Sequence, residues 1–93
     1  MAKSIMQEEK VCYVTGSTFN LDCHHCIHGS NRSNADKYGL TVWLRHDIHM
    51  ALHAHKKPFQ NLDKQLKVEA QKAFEKNHTR EEFMRIFGIN YIS

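Results

Sequence analysis

The chain has 93 residues, 41% of them hydrophobic and 25% charged, a length that holds one modest core and a composition too apolar for intrinsic disorder. Thirteen Lys and Arg against ten Asp and Glu leave a formal charge of +3, which suits an anionic partner without demanding one. No apolar run is long enough for a membrane span or a signal peptide, and an odd cysteine count argues against a secreted disulfide scaffold and for a reducing cytoplasm.

Residues 1–10 (MAKSIMQEEK) hold neither turn chemistry nor sustained periodicity and are expected to form a flexible arm before a single domain at 11–93. Residues 11–14 (VCYV), rich in β-branched and aromatic side chains, and 21–27 (LDCHHCI) read as two short strands around the turn at Thr15-Gly16-Ser17. Residues 28–39 (HGSNRSNADKYG) concentrate Gly, Ser, Asn and Asp and read as a loop. Thr41, Val42 and Trp43 make 40–44 (LTVWL) the clearest strand. In 45–57 (RHDIHMALHAHKK), Ile48, Leu52 and the alanines predict a helix that stops before Pro58. Residues 61–76 place Leu62, Leu66, Ala70, Ala73 and Phe74 at spacings of three and four, an amphipathic helix capped by Asn61. Thr79 and Glu82 match a capping box, and Gly88 ends the last helix after Phe83, Met84, Ile86 and Phe87.

Histidine is the unusual residue. Seven of eight fall between His24 and His55, a clustering that packing does not explain, since imidazole is a poor core hydrophobe. His49 and His53 are four residues apart and share one face of a helix, where two imidazoles can hold one divalent ion. His24 and His25 are adjacent on a strand and point to opposite sides, so one joins that ion while the other stays free. Three protein ligands leave a coordination position for water or a phosphate oxygen, and the free imidazole can take a proton from the attacking water.

The strand with His24-His25, loop, strand, and helix with His49-x-x-x-His53 resembles the HNH endonucleases with a ββα-metal core, at a pair separation like that of the colicin-type DNases. The wider string of CYVTG, HH, NR, KYGLTVWLR, D-x-H, EAQKAFEK and REEFMRIFG is similar to small phage and prophage HNH-like proteins, and covers roughly residues 11–91. The resemblance implies an α+β fold, with a β-hairpin and helix forming the core and two C-terminal helices supporting it. It also implies a metal-dependent endonuclease that cleaves DNA in the cytoplasm of a bacterial host.

Carried onto this sequence, it makes His25 the general base and His24, His49 and His53 the ligands of magnesium, manganese, nickel or zinc. The central Asn of the family motif is missing, the position reading Tyr38-Gly39-Leu40, so Asn31 or Asn34 is expected to brace the loop. Arg45 is expected at the scissile phosphate, and Arg32, Lys37, Lys56 and Lys57 are expected along the nucleic acid.

His28, His46, His55 and His78 read as loop or surface residues, with His28 and His46 near enough to touch substrate. Tyr38, Trp43 and Phe59 read as core. Two rival readings stand beside the nuclease. One is a catalytically weak or inactive HNH-like binding module, such as a phage inhibitor of a host defence nuclease whose partner is a host or phage protein. The other is a structural zinc module built on Cys12, Cys23 or Cys26 with histidines. A domain this small gains grip on DNA as a homodimer or within a larger complex.

Overall fold

In the computed structural model, residues 3–92 are described. Two strands and four helices follow in the order β1 (Leu21–His25), α1 (Arg32–Lys37), β2 (Thr41–Arg45), α2 (His46–His53), α3 (Leu62–Phe74) and α4 (Arg80–Phe87), with a 3-10 turn at Gly29–Asn31. The protein is a small α+β protein on a two-stranded antiparallel sheet. The register runs from Leu21 opposite Arg45 to His25 opposite Thr41. Side chains alternate across a strand, so Asp22, His24, Val42 and Leu44 share one face. Val42 and Leu44 are buried there with Ile48 and Leu52 of α2, and this packing sets α2 against the strand that carries His24.

The expected strand at 11–14 is a loop closed on itself. Cys12 N donates to the Ser17 carbonyl and Gly16 N to the Cys12 carbonyl, both at 2.8 Å, while Tyr13 N reaches the Trp43 carbonyl at 2.8 Å. The β-forming residues here serve burial rather than pairing: Cys12 is buried, and its Sγ accepts from Arg45 N at 3.3 Å. The segment expected as a loop at 28–39 contains the 3-10 turn and α1. A six-residue helix with one buried side chain, Ala35, is too short to leave a hydrophobic period in the sequence.

The remaining helices follow their local signals. The Thr79–Glu82 capping box is formed in both directions and Gly88 closes α4 at φ 77°, the left-handed geometry that glycine adopts without penalty. Asn61 occupies the cap of α3 without a side-chain hydrogen bond, and α2 ends at His53 rather than running to the proline. Buried Gln71 ties the C-terminal tail down, donating to Asn90 Oδ1 at 2.8 Å and accepting from Tyr91 N at 2.7 Å.

Of the segment expected as an arm at 1–10, residues 1 and 2 lie outside the described residues, and the rest is hydrogen-bonded along β2. Ser4 Oγ donates to the Thr41 carbonyl at 2.6 Å, Ile5 N to the Gly39 carbonyl at 2.9 Å, and Trp43 N donates to Gln7 Oε1 at 2.8 Å. These bonds occupy an edge that would otherwise offer unpaired backbone groups. Gly39 makes the approach feasible, since a Cβ at this position would collide with the Lys3 carbonyl. No helix among the described residues is long and apolar enough to cross a membrane.

Candidate metal centre

β2 passes directly into α2 at Arg45 and His46, which lays the first turns of α2 beside β1. His49 and His53, one turn apart, therefore meet His24 on the buried face of the strand. Ring centroids are 5.2 Å apart for His24 and His49, 5.7 Å for His24 and His53, and 4.8 Å for His49 and His53. The two Nε2 atoms of His49 and His53 lie 3.1 Å apart, close to the edge of a tetrahedron with metal–nitrogen bonds of about 2.0 Å, which is about 3.3 Å. Of the three, His24 is buried, His49 half-buried and His53 exposed.

His24 is 1% exposed, and its Nε2 has no hydrogen-bond partner. A buried imidazole nitrogen without a partner is costly unless it serves as a ligand. Burial first, then the neighbouring imidazoles of His28, His49 and His53, push the His24 pKa down to about 3, so at neutral pH the ring is the neutral form that metals bind. His53 is lowered by burial and by His49 and His28. Asp22 accepts from Nδ1 of His49 at 3.0 Å and of His46 at 2.7 Å, and these bonds hold its carboxyl below the usual range. With Nδ1–H given to Asp22, the lone pair of His49 is on Nε2, facing His53. This is the carboxylate–histidine arrangement that orients metal ligands.

His25, on the opposite face of β1, turns its Nε2 to Asp36 Oδ1 of α1 at 3.0 Å. It lines the same cleft as His24, His28, His49, His53 and Arg32. The expected ligands and base thus stand together, and Arg32 is the basic residue that joins them. The other expected contacts do not converge there. Asn31 Nδ2 donates at 2.8 Å to the Phe87 carbonyl, one of the carbonyls a helix end leaves open, so it braces the end of α4 and not His25. Arg45 is clamped by Asp47 at 2.6 and 2.9 Å. It pairs with Leu21 in the register while His25 pairs with Thr41, and four strand residues span about 13 Å. Lys37 lays its ammonium 5.5 Å over the Tyr38 ring, and Lys56 and Lys57 are exposed beyond the end of α2.

His28 lies in the loop between β1 and the 3-10 turn, as expected, but is drawn further into the site than a surface residue would be. It is half-buried, its ring is 5.2 Å from His24 and 5.7 Å from His53, and its Nε2 meets Asp63 Oδ1 at 2.6 Å. Asp22, Asp36 and Asp63 are the residues that sequence reasoning missed. Only the position of Asp22, two residues before His24, placed one of them near the site in advance. Among the described residues, the two groupings able to hold a metal are His24, His49 and His53, and His24, His28 and Asp63. Neither includes a cysteine, so among the described residues the zinc module on Cys12, Cys23 or Cys26 has no assembled ligand set. No protein family, curated protein or solved structure matches this chain.

Proposed function

We propose that the protein is a metal-dependent endonuclease of the HNH type that hydrolyses phosphodiester bonds in DNA in a phage-related setting. The observation that carries this reading is the unpartnered, buried Nε2 of His24 beside His49 and His53, with His25 held by Asp36 in the same cleft. Imidazoles suit nickel or zinc better than magnesium, which prefers oxygen ligands. An ion held by His24, His49 and His53 supplies charge stabilisation at the scissile phosphate and the leaving oxygen.

The chain's own residues do the rest. His25 donates Nε2–H to Asp36, leaving Nδ1 to take a proton from water as the water oxygen attacks phosphorus and one P–O ester bond breaks. Arg32 neutralises charge on the bound strand, and Lys56 and Lys57 extend its path.

Cleavage of supercoiled plasmid tests the reading, using the purified chain with EDTA, magnesium, manganese, nickel or zinc. Metal-dependent cleavage should fall about 100-fold or more in His25→Ala, the scale of a general base, with the circular dichroism spectrum unchanged. Cleavage unaffected by His25→Ala, or a folded protein inactive with every metal, overturns it and leaves the binding module that inhibits a host defence nuclease.

A further inference from the structure

We propose that His28, oriented by Asp63, is a fourth imidazole ligand, so that the resting centre is a closed four-histidine site rather than an open three-histidine one. The inference rests on the metal position of the nuclease reading, but not on its catalysis.

Geometry supports it first. In a tetrahedral site with metal–nitrogen bonds of about 2.0 Å, each imidazole centroid lies about 3.2 Å from the ion, so neighbouring centroids are about 5 Å apart. Five of the six ring pairs among His24, His28, His49 and His53 measure 4.8 to 5.7 Å, and His28 and His49, on opposite sides of the group, form the pair without a close ring contact. His28 thus stands beside His24 and His53, and the two groups of potential ligands, His24, His49 and His53 and His24, His28 and Asp63, share His24, so a fourth imidazole bond needs the His28 ring to swing toward the ion.

Hydrogen bonding supports it independently. Asp63 takes up Nε2 of His28 at 2.6 Å, leaving Nδ1 as the donor atom. Asp63 is itself fixed, because it sits in the first turn of α3 and its second oxygen meets Lys67 Nζ at 3.0 Å. Two of the four imidazoles then carry an orienting carboxylate, His49 through Asp22 and His28 through Asp63. One comes from the strand and one from α3, which packs on α2. The buried Nε2 of His24 has no hydrogen-bond partner and is free to serve as a ligand.

A closed sphere has a chemical consequence. Four protein ligands are the arrangement of structural metal sites, whereas catalytic ones keep a position open. A phosphate oxygen reaches the ion only by displacing His28 or by raising the coordination number, so the resting protein holds its metal tightly and turns over slowly.

The test titrates the metal-free full chain with Co(II), then displaces it with zinc, following stoichiometry, the visible spectrum and the nitrogen count from X-ray absorption. One ion per chain, a tetrahedral Co(II) spectrum and four imidazoles are expected. His28→Ala should still bind one ion, with three imidazoles and a changed spectrum. Asp63→Asn, which keeps the side-chain volume and guards against misfolding in the first variant, should lose about 10-fold to 100-fold in zinc affinity. Three imidazoles in the unaltered protein, two ions per chain, or a spectrum and affinity indifferent to both substitutions overturns the proposal. Four imidazoles in a protein that never cuts plasmid sinks the nuclease and spares the closed site. Cutting by a protein with three imidazoles does the reverse.

Discussion

In the proposed nuclease, Asp36 would take, through a different element, the role of the central Asn of the HNH motif that the sequence resembles. It reaches His25 from α1, a helix inserted between the strands, rather than from the start of β2. In that reading the contact engages one ring nitrogen of His25 and leaves the other for water, which makes Asp36 a positioning residue acting through His25. Asp36→Ala should therefore lower kcat for plasmid or oligonucleotide cleavage by on the order of 10-fold to 100-fold, below the effect of removing the base itself, while KM stays within about twofold. Asp36→Asn keeps an acceptor oxygen and should recover part of the loss. A rise in KM with kcat unchanged would make Asp36 a substrate contact instead.

The element scale is where short-range chemistry has its clearest effect. α4 is eight residues long, too short to be stable alone, and depends on its ends and on aromatic packing. Thr79 and Glu82 satisfy backbone groups reciprocally at its start, and Gly88 closes its end. Between them Phe83 and Phe87 pack on Phe74 of α3, with centroids 5.4 and 6.1 Å away, and Asn31 reaches the Phe87 carbonyl. Thr79→Ala should cost about 1 kcal/mol in urea unfolding and leave metal binding intact, because α4 contributes no side chain to the histidine group. A loss of metal affinity in that variant would show that α4 positions the site.

For the molecule as a whole, His24 couples the site to stability. In the unfolded chain its pKa is about 6.5; in the metal-free fold it is pushed down to about 3 by burial and by its imidazole neighbours. Above pH 6.5 both states are neutral and the fold keeps its full stability. As pH falls below 6.5 the unfolded chain takes up a proton that the folded chain refuses, and stability is lost until pH reaches about 3. At most about 5 kcal/mol is at stake, comparable to the total stability of a domain this size. The metal-free protein should thus unfold at progressively lower urea concentration between pH 6.5 and 3, and His24→Gln should flatten that dependence. An equally steep dependence in the variant would place the linkage on other groups.

Local chemistry in the sequence was sufficient for the strong elements. The His24-His25 and His49-x-x-x-His53 spacings, the Thr-Val-Trp strand, the apolar stripe of α3 and the Thr79–Glu82 cap all act within one or two turns or along one strand, so their physics is visible in consecutive residues. Tertiary structure decided what depended on partners distant in the chain. The segment at 11–14 lost its strand because Cys12 found its backbone partners within its own loop, leaving Tyr13 N alone to reach β2 at the Trp43 carbonyl, and the N-terminal segment covered the free edge of β2 because Gly39 let the chain approach. Asp63 joined His28 across 35 residues because α3 packs on α2, and Asn31 was drawn to the end of α4 rather than to His25. Spacing along the chain can nominate the ligands on a strand and a helix, but only packing brings in the carboxylates that orient them.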